Sequence, residues 1–247
     1  MTPVNSQTWV RGECSAAIIV DGDDTLWKTQ ELYDRAKTEF ARLLKQRHFR
    51  TPNPIDILDD IDAQNVALRG FSNERFVESL LETYAHLCKQ ENRHAEPGIE
   101  RQIRLIGAST FARPQLYEDT VWAISTLGQH YILALATKGE PSIQNAKVDA
   151  LGLRRCFHRV YCLQKKTEYE YSQIVSDLGI PKQVIWVIGN SVKSDINPAL
   201  KLDLRTILIP RGIWRYEQEI LDDREVIIVQ SLKEATRVIL TRDSTQV

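Results

Sequence analysis

The chain has little that would tie it to a membrane, to nucleic acid or to an oxidising compartment. No apolar run approaches the length of a membrane span, and residues 1–15, which include Arg11 and Glu13, hold no apolar stretch of signal-peptide length. The 32 lysines and arginines are balanced by 33 aspartates and glutamates, for a formal net charge of −1. No excess positive charge is left for a nucleic-acid backbone or an anionic lipid surface, so neither is expected as a partner. Cys14, Cys88, Cys156 and Cys162 lack Cys-x-x-Cys spacing. That removes the zinc-ribbon and redox-pair readings and leaves scattered reduced thiols, as in a cytoplasmic protein. The histidines at 48, 86, 94, 130 and 158 show no ligand spacing, and there is neither an internal repeat nor a low-complexity segment.

What is present is ordinary globular composition, 43% hydrophobic and 26% charged over 247 residues. That length suffices for one sizeable core and a smaller unit beside it. Two textures divide the chain. From Lys28 to about Phe111 the apolar spacing is helical. One helix is expected over Glu31–Gln46, and a second starts at Asp56 and runs through Ile57, Ile61 and Leu68 to Gly70. A third carries Phe76, Leu80, Leu81, Tyr84 and Leu87, and a fourth follows Pro97-Gly98 through Ile106. No strand is expected in this block.

From Pro114 onward helices alternate with short apolar runs: Tyr131–Ala136, Val160–Leu163, Val184–Gly189, Leu204–Ile209 and Val226–Val229. Expected helices between and after them include Tyr117–Leu127, Pro141–Leu151, Thr167–Leu178, Asp195–Leu202 and Leu232–Leu240. Strands that alternate with helices imply an α/β domain with a parallel sheet and right-handed crossovers. Ala17–Val20, β-branched and too short for a helix, belongs to the same sheet. The helical block is then an insertion after the first strand. The expected division is 1–27 with 112–247 as a Rossmann-like α/β core and 28–111 as a helical unit.

The polar groups stand where these strands end. Asp21-Gly22-Asp23-Asp24-Thr25 follows the first, Thr137-Lys138-Gly139 the second, Lys165-Lys166-Thr167 the third and Gly189-Asn190-Ser191-Val192-Lys193-Ser194-Asp195 the fourth. The carboxyl ends of parallel strands are where α/β sheets bind ligands. Two carboxylates offer oxygen ligands to a hard cation such as Mg²⁺, one carboxylate free to attack and one able to carry a proton. A hydroxyl and a lysine nearby add donors for phosphate oxygens. Helix caps in a turn account for any one of these tips, but four in a row suit phosphoryl transfer better.

The order of these four segments resembles the haloacid dehalogenase (HAD) superfamily. Its first motif, an apolar strand and Asp-x-Asp-x-Thr-Leu, stands at Asp21–Leu26, its second at Ala134–Thr137, its third at Lys166-Thr167 and its fourth at Gly189–Asp195. The resemblance implies that Asp21 is the nucleophile and that Asp23 protonates the leaving group and then activates water. It implies Mg²⁺ held by Asp21, the backbone carbonyl of Asp23, and Asp195. Thr137, Lys138 and Lys166 would bind the phosphate, and the helical block corresponds to a C1-type cap. Two departures stand out. Asn190 replaces the first carboxylate of the fourth motif, keeping a carbonyl for the metal or its water but losing one charge. The third-motif lysine is open between Lys165 and Lys166, with Lys166 preferred because it directly precedes the start of a helix.

Within the resemblance, the dehalogenases lack the second Asp of the first motif, so Asp23 and Asp195 favour a phosphomonoesterase acting on a small-molecule phosphate ester. The alternatives are a phosphomutase or a non-catalytic binding protein of the same fold. Arg69 and Arg75, flanking a joint between two helices of the block, are the expected substrate contacts from that side.

Overall fold

The computed structural model describes residues 15–72, 74–212, 217, 219–222 and 226–244. Cys14 and Asn73 lie outside them. The strands are β1 (Ala17–Val20), β2 (Trp27–Lys28), β3 (Gln115–Leu116), β4 (Ile132–Lys138), β5 (Arg159–Leu163), β6 (Ile185–Gly189), β7 (Arg205–Leu208) and β8 (Ile227–Ile228). Six of them form one parallel sheet in the order β5-β4-β1-β6-β7-β8. This is the α/β, Rossmann-like core expected from the alternating texture.

The helices are α1 (Gln30–Gln46), α2 (Pro54–Arg69), α3 (Arg75–Gln90), α4 (Pro97–Ala108), α5 (Thr120–Leu127), α6 (Pro141–Ala150), α7 (Glu168–Leu178), α8 (Asn197–Leu200) and α9 (Leu232–Ser244). Ile18 and Val20 face one side of the sheet with Leu133, Leu135 and Ile188, against α5, α6 and α9. Ala17 and Ile19 face the other with Ala134, Ala136 and Val187, against α7 and α8. Burial on both faces is why β1 and β4 read as unbroken apolar runs rather than alternating ones. Because β1 has β4 on one side and β6 on the other, the crossovers diverge at its tip. The crevice there opens at the residues that follow β1, namely Asp21 to Asp24.

Helices α1 to α4 share a separate apolar cluster built on Phe40, Leu44, Leu58, Phe76, Leu80, Tyr84 and Ile103. The face that α2 buries differs from the expected one. Leu68 is 80% exposed, whereas Leu58, Asp62, Asn65 and Val66 point inward. The buried polar pair is satisfied by α3: Asp62 accepts from Arg75, and the Asn65 amide donates to Ser79 Oγ at 3.1 Å and Glu82 Oε2 at 2.8 Å. Partners beyond the helix's own periodicity therefore decide its orientation.

Three other elements depart from expectation. β2 and β3 pair as a short antiparallel ribbon, Trp27 opposite Leu116, where the chain leaves the core and returns. The α5 helix starts at Thr120 rather than Tyr117, because the preceding backbone is used otherwise. The Tyr117 amide and Thr120 Oγ1 both donate to Leu26 O, at 3.1 and 2.7 Å. The helix expected over Asp195–Leu202 is a π-type turn, Val192–Ile196, followed by the short α8. Such turns are frequent at functional sites. Cys88, Cys156 and Cys162 are free thiols. No helix among the described residues is long and apolar enough to cross a membrane.

Candidate active site

The three carboxylates that follow β1 have three different environments. Asp21, 6% exposed, is fixed by its backbone amide, which donates to Ile188 O at 2.9 Å. Its Oδ1 accepts from Lys166 Nζ at 2.5 Å, and its Oδ2 is buried with no hydrogen-bond partner. Asp23 Oδ1 accepts from Trp27 Nε1 and Lys147 Nζ, each at 2.7 Å, and from Thr29 Oγ1; its Oδ2 accepts from Gln144 Nε2 at 2.8 Å. Asp24, at φ 60°, turns away, and its Oδ1 accepts from the Thr29 and Gln30 amides at 2.9 Å, capping α1.

Gly22 makes this loop possible. Its carbonyl accepts from the amides of Thr25, Leu26 and Trp27, and a Cβ at this position would stand 2.4 Å from the Trp27 ring. Only glycine lets the fully buried indole fold back far enough to reach Asp23.

The other strand tips converge on the same crevice. Lys166 is buried between Asp21 and Asp195, donating to both carboxylates and to Ala136 O at 2.9 Å. Its position follows from its neighbour. Thr167 is the N-cap of α7 and forms a capping box with Glu170, so the preceding side chain is held at the tip of β5. Lys165 is exposed. Asp195, 1% exposed, accepts on Oδ2 from the Ser191 amide at 3.0 Å and on Oδ1 from Tyr171 as well as Lys166. Thr137 is fully buried at the end of β4, and its Oγ1 has no hydrogen-bond partner. Lys138 donates to Ser194 Oγ at 2.7 Å and pairs with Glu217, while its ammonium lies 4.7 Å from the centre of the Phe71 ring.

Asp21, Asp23, Lys138, Lys166 and Asp195 line one end of a cavity of about 550 Å³ that continues between the sheet and the helical block, whereas Thr137 does not line it. Asn190 lines it too, and Tyr33, Phe71, Arg75, Phe111, Arg113 and Ile143 form its outer part. Arg75 is buried and paired with Asp62. Arg69 does not line the cavity: it pairs with Glu82 at 2.8 Å, both side chains largely in solvent. Arg75→Met is therefore expected to cost about 3–5 kcal/mol by stranding Asp62, and Arg69→Ala less than about 1 kcal/mol. Urea unfolding of the two variants measures the contrast.

Electrostatics separates the two leading carboxylates. Burial pushes the Asp21 carboxyl up; Lys166 pulls it down and Asp195 pushes it up again, for a net value of about 7. Burial also opposes ionisation of Asp23, but Lys147 and the donors from Thr29 and Trp27 outweigh it and hold that carboxyl below its ordinary value. Burial disfavours the Lys166 ammonium, yet Asp195 and Asp21 keep it protonated well above the usual range.

A buried carboxylate oxygen without a donor calls for a cation. The unpartnered Asp21 Oδ2, Asp195, the Asp23 carbonyl and the Asn190 side chain are hard oxygen donors of the kind Mg²⁺ prefers, so these residues fit the ion. Among the described residues, no group of three or more His, Cys, Asp or Glu side chains is arranged to hold a metal by itself.

Several members of the site escape sequence reasoning. Gln144 and Lys147 lie one helical turn apart on α6, a spacing that puts them on one face but does not say what that face meets. Glu217 follows β7 with no motif around it in sequence, yet it accepts from Ser191 Oγ at 2.8 Å and Ser194 Oγ at 2.6 Å.

A parallel sheet whose strand tips bring two carboxylates onto one lysine at its switch point defines an α/β protein of the Rossmann-like class. The chain belongs to the haloacid dehalogenase-like hydrolases, whose family model matches residues 16–203. Its fold is similar to that of a haloacid dehalogenase-like family hydrolase from Xanthomonas campestris, with TM-score 0.79 and 22% identity over 95% of this chain and 98% of that one. It is also similar to a magnesium-bound Bacillus subtilis protein assigned to the HAD hydrolases (TM-score 0.60, 17% identity, 92% and 100% covered). A third similar structure is the L-2-haloacid dehalogenase of Xanthobacter autotrophicus (TM-score 0.60, 14% identity, 91% and 98% covered). No curated protein matches the chain.

Proposed function

We propose that this hydrolase is a Mg²⁺-dependent phosphomonoesterase acting on a small phosphorylated metabolite. The observation that carries the reading is the pair Asp21 and Asp23, two carboxylates at one strand tip with opposite surroundings. By family resemblance the dehalogenase branch has no second carboxylate there. Asp21, with one oxygen held by Lys166 and the other unpartnered, is the nucleophile. It attacks phosphorus as the bond to the leaving oxygen breaks, and the phosphoryl group passes to the Asp21 carboxylate.

The departing oxygen needs a proton, and Asp23 delivers it. The clamp leaves Asp23 ionised before the ester binds. A phosphate beside that carboxylate raises the proton affinity of the pair, so the proton enters with the ester and is shared between them. After the alcohol leaves, Asp23 takes a proton from water, whose oxygen attacks phosphorus and releases phosphate from Asp21. Lys166 and Thr137 Oγ1 bind the equatorial oxygens. Asp21, Asp195, the Asp23 carbonyl and Asn190 would hold Mg²⁺, which would supply positive charge to offset that of the ester and the nucleophile. The helical block acts as a C1-type cap whose wall excludes bulk water and limits access to small esters.

Phosphate release from a panel of small phosphate monoesters, with Mg²⁺ and with EDTA, tests this reading. Release that requires the metal is the expected result. Halide release from 2-haloacids, or ester hydrolysis undiminished by EDTA, would overturn it.

A further inference from the structure

The environment of Asp23 is lopsided. A carboxylate oxygen has two in-plane lone pairs, and Asp23 Oδ1 meets three donors: the Trp27 indole, the Thr29 hydroxyl and the Lys147 ammonium. Oδ2 meets one, the Gln144 amide. Two of the four donors therefore come from α6, one helical turn apart, across more than 120 residues of chain. The geometry of α6 is itself supported. Gln144, 4% exposed, donates a second hydrogen bond from Nε2 to Lys138 O at 2.9 Å. It fits there because residue 139 is glycine at φ +145°, where a Cβ would stand 2.7 Å from Gln144 Nε2. Both partners of that amide nitrogen are acceptors, which fixes its orientation.

We infer that Lys147 and Gln144 are positioning residues that decide which oxygen of Asp23 carries the proton: Lys147 adds a charged donor to an Oδ1 already met by Trp27 and Thr29, and Gln144 aligns Oδ2, leaving Oδ2 as the oxygen that serves the departing alcohol. The inference rests on the phosphomonoesterase reading. The balanced step is the one already given, with its proton now placed on one atom: the Oδ2–H bond breaks as the O–H bond of the alcohol forms. Without Lys147, Oδ1 keeps two neutral donors, Trp27 and Thr29, but loses the ammonium that disfavours a proton on that oxygen. The proton then sits on either oxygen and in the wrong place for transfer.

This separates Lys147 from a residue that only holds the fold. A leaving group that is stable as an anion needs no proton, whereas an alkoxide does, and kcat/KM reports only the steps up to its departure. Wild type, Lys147→Met, Lys147→Arg, Gln144→Met and Asp23→Asn are compared on p-nitrophenyl phosphate and on the alkyl phosphate that wild type hydrolyses fastest. Loss of a positioned general acid is worth about 10²–10⁴-fold.

Lys147→Met is expected to lower kcat/KM for the alkyl ester about 100-fold and for the nitrophenyl ester less than about fivefold. Asp23→Asn should show the same asymmetry at larger size, and Lys147→Arg should recover most of the loss by restoring a charged donor. Gln144→Met provides the same contrast if Lys147→Met does not fold. Equal losses on both esters, or no loss on either, in an enzyme whose wild type is active would overturn the positioning role alone. A wild type inactive on both esters would overturn the phosphomonoesterase reading beneath it.

Discussion

Asp21→Asn is expected to slow phosphate release by at least about 10⁴-fold, the scale on which loss of a covalent nucleophile is felt. The amide keeps the size of the side chain and a carbonyl oxygen for Lys166, so the fold should survive. A second signature follows from the same substitution. In the folded metal-free protein the Asp21 carboxyl is raised from 3.8 to about 7, first by burial and then by Asp195 against the pull of Lys166. A carboxyl raised on folding binds its proton more tightly in the native state than in the unfolded chain. Its contribution to stability is therefore present at low pH and is lost as pH rises from 3.8 towards about 7. The Asn variant has no such group. Urea unfolding in EDTA at pH 5 and pH 8 should show the variant gaining on wild type across that interval. Near-normal turnover would refute the nucleophile, and an unchanged difference between the two pH values would remove Asp21 as the titrating group.

Lys166→Met should have the largest effect on stability. The ammonium bridges Asp21 and Asp195, all three side chains being almost fully buried. Removing it leaves two like charges facing each other in a poorly solvated pocket, at a cost of about 3–5 kcal/mol. Lys165→Met, one residue earlier on an exposed side chain, should change stability by less than about 0.5 kcal/mol. Mg²⁺ discriminates further: with the internal cation gone, the two carboxylates bind an external one with less competition, so the ion should raise the melting temperature of Lys166→Met more than that of wild type. Equal melting temperatures for the two lysine variants would count against the bridging role.

Much of this arrangement was legible because its signals are local. The apolar run Ala17–Val20 ends in Asp21, the run into β4 ends in Thr137, and Thr167 with Glu170 spells a helix start that holds Lys166 at its threshold. Each is a short-range rule acting on adjacent residues, and the parallel sheet brings their ends together.

What could not be read depends on partners far along the chain. Asp23 reads in sequence as a proton carrier with no partner in view, and is clamped by Gln144 and Lys147 in three dimensions. The stripe expected on α2 fails because Asp62 and Asn65 have companions on α3. Arg69 and Arg75, alike in sequence, separate because only one of them meets a buried carboxylate. Glu217 has no local signature at all, since its carboxylate is recruited by Lys138, Ser191 and Ser194 from two different strand tips.

The two-residue ribbon of β2 and β3 has a consequence for how such a chain can change. Trp27 pairs with Leu116 and Lys28 with Gln115, so everything between them begins and ends at a single doorway. The core has only to accommodate two adjacent strand ends, whatever length of polypeptide hangs from them. Change within the stretch beyond Gln30 leaves in place the sheet order and the donors that Thr29 and Gln30 give to Asp23 and Asp24. The sheet and the helical block can thereby vary in sequence and length with only this doorway in common.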